Sequence, residues 1–109
     1  MNNAQLVLLA RMKSLIKRGK RRFANRSDRN FVNDLLELGL SEKEAWLQIL
    51  YLKPVDYFLD LKPIYFQTNN TLVFKKRINN KTVYIKITLK NYEKDDVCVC
   101  LSFHKDIGR

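Results

Sequence analysis

The stretch RINNKTVYIKIT, residues 77–88, decides how the second half of the chain folds. Its central Asn79-Asn80 pair tolerates positive φ, which the two-residue turn of a tight β-hairpin requires. The segments on both sides of the pair alternate apolar and polar residues, the pattern of half-buried strands. The sequence therefore predicts two antiparallel strands, near residues 71–78 and 82–90, joined by a two-residue turn.

Pairing Ile78 with Lys81 across this turn fixes the register of the hairpin. One face then becomes apolar, and its predicted pairs are Phe74 with Ile85 and Leu72 with Ile87. The second face, called here the polar face, has the predicted pairs Arg77 with Thr82, Lys75 with Tyr84 and Val73 with Lys86. The alternation of apolar residues and the two-residue turn therefore predict the same register.

A third strand is predicted near residues 96–104, returning antiparallel after the polar connection NYEKDD. Its core face would carry the apolar set Val97, Val99, Leu101 and Phe103. The predicted neighbours are Leu101 and Ile85, Phe103 and Val83, Ser102 and Tyr84, and His104 and Thr82. Three strands would then share one surface, the cationic patch, which consists of Lys75, Arg77, Tyr84, Lys86, Ser102 and His104. A further strand is predicted around residues 64–67.

Helical periodicity dominates the first half of the chain. A first amphipathic helix is expected from Asn3 to about Arg21, ending in the basic run KRGKRR, residues 17–22. A second helix should follow Ser27 as its N-cap and stop at Gly39, and its apolar stripe comprises Phe31, Leu35, Leu36 and Leu38. A capping box at Ser41 opens a third helix, which Pro54 interrupts.

Helices followed by strands indicate an α+β fold, with the N-terminal helices on one face of a C-terminal antiparallel sheet. The 109 residues, of which 46% are hydrophobic, suit one domain that spans residues 1–109. No run of about 18 apolar residues occurs, and Arg11 and Lys13 interrupt the apolar start, so neither a membrane span nor a signal peptide is expected. We expect a cytoplasmic protein.

Cys98 and Cys100 are one residue apart on a predicted strand, so their side chains point to the same face and cannot easily form a disulfide. Their spacing is not that of a metal site, and the chain contains 1 histidine. Reduced thiols in a core are therefore expected.

Twenty-one Lys and Arg against 11 Asp and Glu give a net charge of +10. Such a field attracts nucleic acid, and it attracts acidic proteins equally well.

The cationic patch has the residue types that cleave RNA without a metal: a base for the ribose 2′-hydroxyl, positive charge for the phosphate and an acid for the departing 5′-oxygen. Histidine exchanges protons near neutral pH, which suits His104 for acid or base. Lys75, Arg77 and Lys86 can neutralise a phosphate, and Tyr84 can donate a hydrogen bond or stack on a base. Neither a metal nor another cofactor is expected. The same residues also suit an ordinary solvated sheet face.

The segments VYIKI (83–87) and VCVCLSFH (97–104) resemble the C-terminal hairpin of the MqsR family of toxins from type II toxin-antitoxin systems. The segment ELGLSEKEAWLQILYLKPVDYF (37–58) is similar to the family's order of helix end, following helix and short aromatic motif before the sheet. The resemblance implies a RelE-like fold and an endoribonuclease that cuts mRNA independently of the ribosome. It also implies a cognate antitoxin protein as partner.

The functional set of this family is lysine, glutamine, tyrosine and lysine. By resemblance, the tyrosine falls on Tyr84 and the last lysine on His104. The first lysine falls near Leu59, so its role is lost or passes to a neighbour such as Lys62. The glutamine has no counterpart in the segment TLVFKKR, residues 71–77, although Lys75 occupies a suitable place by the predicted register. Only the tyrosine is retained unchanged. The predicted catalytic residues are thus Tyr84, His104, Lys75 and Lys86, and the predicted RNA-binding residues are Arg77, Lys62 and Ser102.

Two other functions fit the same sequence. A non-catalytic nucleic-acid-binding module would use the basic first helix and KRGKRRF, residues 17–23, and it predicts salt-sensitive binding without cleavage. This binding would be lost when Lys17, Lys20, Arg21 and Arg22 are neutralised. The third possibility is a protein-interaction subunit whose positive charge serves to bind an acidic antitoxin.

Overall fold

A computed structural model of the chain describes residues 1–25, 27, 29–58 and 70–106. Its elements, in chain order, are α1 (Asn3–Lys17), β1 (Arg21–Phe23), α2 (Phe31–Leu38), α3 (Glu42–Leu50), a short 3₁₀ helix (Pro54–Asp56), β2 (Thr71–Ile78), β3 (Lys81–Tyr92) and β4 (Asp95–Lys105). The α+β class is confirmed, and no helix in these ranges has the length and apolar character to span a membrane. The strand predicted around residues 64–67 lies outside the described residues.

The described strands form one sheet in the order β1-β4-β3-β2. β2, β3 and β4 are antiparallel, but β1 pairs parallel with β4, so the sheet is mixed and not purely antiparallel. This edge strand arises because α1 ends at Lys17 and Gly19 adopts a φ of 78°, a conformation that stops a helix. The prediction of a helix to about Arg21 was therefore wrong, and Arg21 and Arg22 lie on a strand.

The hairpin between β2 and β3 has the predicted register at every pair from Thr71 and Thr88 to Ile78 and Lys81. Asn79 and Asn80 have φ values of 51° and 66°, as a two-residue hairpin turn requires. The Asn79 side-chain amide also donates to the Leu38 carbonyl at 2.9 Å. The turn is thereby attached to the end of α2.

This attachment makes a testable distinction between the two asparagines. Asn79→Gly keeps the positive φ but loses the bond to Leu38, whereas Asn80→Gly keeps both. We expect Asn79→Gly to be less stable than Asn80→Gly by about 1 kcal/mol, measured by urea denaturation. The added freedom of glycine in the unfolded chain is common to both variants and cancels in the comparison. Equal stabilities would contradict a stabilising role for the Asn79 side chain.

β3 and β4 pair in a register that differs from the predicted one. Their connection is a second tight turn, in which Glu93 and Lys94 have φ values of 47° and 78°. A β-bulge follows, because Ser102 lies opposite Lys86 whereas Cys100 lies opposite Ile87, which makes Leu101 the extra residue. Phe103 therefore lies beside Ile85 and His104 beside Tyr84, each two residues along β3 from its predicted neighbour.

The bulge also exchanges the two faces of β4 along its length. Cys98 and Cys100 belong to the buried core cluster together with Phe103, whereas Val97, Val99 and Leu101 do not. Of the predicted core set on this strand, only Phe103 has the expected place. The expectation of core thiols is confirmed, since both cysteines are buried and free.

The helices pack on the apolar face of the sheet, as predicted. The cluster that joins them to the strands includes Met12, Ile16, Leu35, Trp46, Ile49, Phe74, Val83, Ile85 and Ile87. Within α2, Leu35 is 3% exposed but Leu36 is 69% exposed, so the predicted stripe was too wide. The N-cap of α2 is Asn30 and not Ser27, because the Asn30 side chain accepts from the Val32 N–H. The Gly39 stop and the Ser41 capping box are confirmed.

Burial of the two cysteines predicts their reactivity. It raises the pKa of Cys98 to about 12 and also raises that of Cys100. Because the thiolate is the nucleophile, we expect iodoacetamide at pH 8 to modify neither residue in the native protein and both in denaturant, as counted by mass spectrometry. Because the folded-state pKa of Cys98 is raised, burial of its neutral thiol contributes fully to the free energy of unfolding below pH about 8.5. This contribution is lost as the pH rises towards 12. Rapid modification of native protein would contradict this burial.

Candidate active site

The cationic patch is built on cross-strand rows of the polar face. Lys75, Tyr84 and His104 form one row across β2, β3 and β4. The rows on either side contain the pair Arg77 and Thr82 and the pair Lys86 and Ser102. The hairpin turn and the bulge together therefore bring six predicted residues from three strands onto one face.

Tyr84 and His104 are in direct contact. Their ring centroids are 5.4 Å apart and their planes differ by 22°, which is a stacked arrangement. The predicted register had placed Ser102 beside Tyr84 and His104 one row away. The shift of two residues placed the imidazole on the tyrosine without changing its face.

Hydrogen bonding assigns the roles of the two imidazole nitrogens of His104. Nδ1 lies 2.9 Å from the carbonyl oxygen of Lys105. A carbonyl oxygen only accepts, so Nδ1 must carry the hydrogen of this bond. Nε2 is then the second ring nitrogen, which this hydrogen bond does not use, and the backbone of β4 orients the ring.

Lys75 is held by a carboxylate that the sequence analysis did not include. Its Nζ lies 3.1 Å from Asp106 Oδ2, with side chains 21% and 15% exposed, and 4.0 Å from the centroid of the Phe58 ring. The Asp106 N–H also donates to the Thr82 carbonyl at 2.8 Å, which extends the pairing beyond β4. Asp106 follows His104 by two residues, and this spacing on a strand was the signal that could have identified it.

The remaining predicted residues differ in their access to solvent. Arg77 is exposed and donates from Nη2 to the Asn80 carbonyl at 3.0 Å. Lys86 is half-buried, but Ser102 is only 8% exposed, so the predicted RNA contact of Ser102 is not supported by its position. Lys62 lies outside the described residues.

The polar face is not a uniformly solvated surface. Val73, Thr88 and Val99 lie on it and are 7%, 6% and 1% exposed, although the first and last are not part of the helix-packed core cluster. This buried middle separates the row of Lys75, Tyr84 and His104 from the opposite end of β3. Charged and exposed residues therefore lie at both ends of this face, since Arg22 and Lys90 occupy the other end, and the cationic patch is one of these two regions.

The basic run at residues 17–22 is divided between two elements. Lys20 Nζ lies 3.5 Å from Asp95, and the Arg21 guanidinium donates to the Ile16 carbonyl at 3.1 Å. The Arg22 guanidinium lies 5.2 Å from the centroid of the Tyr92 ring. The basic helical surface expected for a nucleic-acid-binding module is thus replaced by a helix end and an edge strand.

The stacked row offers a proton-exchanging imidazole, a phenol hydroxyl and ammonium groups within one surface. Among the residues with described positions, no group of three or more His, Cys, Asp and Glu side chains comes together to bind a metal. Comparison of the sequence with protein-family models and with curated protein sequences finds no match.

Proposed function

We propose that the protein is a metal-independent endoribonuclease and that Tyr84 and His104 form its catalytic centre. The observation that carries the proposal is the stacking of the His104 imidazole on the Tyr84 ring, in one row with the Lys75 ammonium. Imidazole supplies proton transfer and the cations supply charge stabilisation, the two requirements of RNA cleavage by its own 2′-hydroxyl.

In the proposed reaction the ribose 2′-oxygen attacks the adjacent phosphorus while a base removes its proton. The bond to the 5′-oxygen breaks as that oxygen receives a proton, leaving a 2′,3′-cyclic phosphate and a 5′-hydroxyl end. His104 Nε2 exchanges one of these protons, because Nδ1 is engaged with the Lys105 carbonyl. The Tyr84 hydroxyl hydrogen-bonds a phosphate oxygen and positions the scissile bond.

Positive charge on the patch stabilises the pentavalent phosphate. Lys86 and Arg77 approach it from the rows on either side of Tyr84. Lys75 is paired with Asp106 at 3.1 Å, so a bound phosphate would compete with this carboxylate for the ammonium group. Asp106 thereby holds Lys75 in position before RNA binds.

The most direct test is incubation of the purified protein with a mixed-sequence RNA in EDTA. We expect fragments with 2′,3′-cyclic phosphate and 5′-hydroxyl ends, and the same rate with or without the chelator. Loss of cleavage in EDTA, or 5′-phosphate ends, would contradict the mechanism. Salt-sensitive RNA binding without any cleavage would instead support a non-catalytic binding module.

We further propose that this nuclease is the cytoplasmic toxin of a type II toxin-antitoxin system, with mRNA as substrate and a cognate antitoxin protein as partner. The support is the order of motifs in residues 37–58, 83–87 and 97–104, which resembles the MqsR family. We expect induced expression to arrest growth and co-expression of a neighbouring gene to restore it. Unimpaired growth with active enzyme present would contradict the toxin role and leave the nuclease chemistry in place.

A further inference from the structure

β1 forms an edge of the described sheet and directs backbone groups outwards. The Cys98 N–H donates to the Lys20 carbonyl at 3.0 Å, and the Ala24 N–H donates to the Cys100 carbonyl at 2.9 Å. In a parallel ladder successive residues alternate between the two sides, so Arg22 pairs towards β4. Arg21 and Phe23 therefore direct their N–H and C=O groups to the outer side, where a further strand can pair.

A groove of about 560 Å³ runs beside this edge and has an apolar floor. Its floor consists of Phe23, Phe31 and Trp46. The Phe23 ring is stacked on Phe31 with centroids 4.7 Å apart, and its centroid lies 4.8 Å from that of Trp46. Phe23 and Trp46 are only 8% and 4% exposed, so little of either ring is open to the groove.

Cations surround this floor. Arg21, Arg22 and Lys43 line the groove, and Glu42 is the acidic residue among the described lining. Lys43 is exposed on the first turn of α3, and both arginines are exposed on β1. An anionic ligand is favoured here by the local field and by the net charge of +10.

We infer that this groove is the docking site for an extended, acidic segment of a partner protein, which adds to the sheet as a strand beside β1. Its carboxylates would face the groove and pair with Arg21 and Lys43, whereas its alternate apolar side chains would lie on the other face of the sheet, beside Arg22. Strand addition combines backbone pairing with side-chain pockets in this way. A single-stranded nucleic acid fits less well, because its bases require exposed ring faces for stacking.

This docking site does not depend on the nuclease activity. It meets β4 at residues 98–100, whereas the row of Tyr84 meets the same strand at His104. A peptide in the groove would leave the cationic patch uncovered.

The test uses the full chain and a fluorescein-labelled nonapeptide in which glutamate alternates with valine, followed by fluorescence anisotropy. We expect saturable binding, and none by the matched peptide in which lysine replaces glutamate. In a strand, every second residue directs its N–H group to the same edge, and the residues between them direct theirs to the other edge. N-methylation of the valines or of the glutamates should therefore abolish binding in one case only, because only one edge of the peptide faces β1.

Two pairs of variants locate the site. Arg21→Pro removes an outward N–H without removing a ladder bond, so we expect its Kd to exceed that of Arg21→Ala about fivefold. Lys43→Glu should raise the Kd about tenfold, whereas Lys53→Glu makes the same charge change beyond the other end of α3 and should have little effect. Amide exchange at Arg21 and Phe23 should slow when peptide is bound.

Binding that survives both N-methylations, or that Lys43→Glu and Lys53→Glu weaken equally, would overturn the docking site in favour of general charge attraction. Tighter binding of a single-stranded RNA oligomer than of the peptide, weakened by Lys43→Glu and not by Lys53→Glu, would instead assign the groove to nucleic acid. Thermal unfolding of each variant separates these outcomes from loss of the fold.

Discussion

His104→Ala should lower the rate of RNA cleavage by roughly 100-fold or more, because a positioned acid or base contributes about 10²–10⁴-fold to such reactions. The imidazole is partly exposed, stacked on Tyr84 and oriented by the Lys105 carbonyl, so its removal deletes the proton carrier of the patch. The measurement is the initial rate of cleavage of a fluorescent RNA in EDTA, with the enzyme in excess.

Tyrosine variants provide the matched control for this experiment. Tyr84→Phe keeps the stacked ring and loses the hydroxyl, and we expect cleavage to fall about tenfold with little change in thermal stability. Tyr92→Phe makes the same chemical change on the same strand, at a residue that is 39% exposed and far from the row, and should cleave normally. Cleavage at the wild-type rate by a protein with both His104→Ala and Tyr84→Phe would refute the proposed centre.

Leu35→Ala should destabilise the fold by about 3 kcal/mol, a large share of the roughly 5–15 kcal/mol that stabilises a domain. Leu35 is 3% exposed and lies in the cluster that joins α2 to the sheet. Truncating it removes apolar contacts and leaves a cavity that the neighbouring elements fill only in part. Urea denaturation followed by circular dichroism measures the loss.

The neighbouring residue of α2 is the control for this loss. Leu36 is 69% exposed, so Leu36→Ala should change the free energy of unfolding by no more than about 0.5 kcal/mol. The two variants have the same chemistry and differ only in the face of the helix that they occupy. Similar losses in both would mean that a partner or a second copy covers the Leu36 face.

The features that the sequence predicted correctly are governed by short-range physics. The two-residue turn at Asn79 and Asn80, the stop at Gly39 and the capping box at Ser41 each depend on residues within one or two turns of the chain. The hairpin register followed from its turn, because a two-residue loop leaves only one pairing that keeps the apolar residues together.

The features that it missed depend on distant contacts. β1 has only three residues, and it exists because β4 supplies a parallel partner about 77 positions later. The bulge could not be predicted because residues 97–101 are all apolar. The sequence pattern therefore could not indicate whether the odd-numbered or the even-numbered residues of this segment face the core. Val97 and Val99 were therefore predicted in the core in place of Cys98 and Cys100.

The candidate site was partly predictable for a simple reason. The register error between β3 and β4 amounted to two residues at the site, and an even shift leaves every side chain on its own face. Tyr84 and His104 therefore share a face as predicted, although they were not expected to stack. The carboxylate of Asp106 and the burial of Ser102 depend on packing that the alternation of residues does not express.

The number of residues in β4 affects its pairing independently of their composition, because Leu101 is an extra residue opposite β3. Because Leu101 is the extra residue, its deletion would leave Cys100 opposite Ile87 and Ser102 opposite Lys86 as consecutive pairs of a regular ladder. His104 would still lie beside Tyr84, and Phe103 would still face the helices. A deletion elsewhere on this strand, with the bulge kept, would instead turn the side chains on one side of the deletion to the opposite face of the sheet.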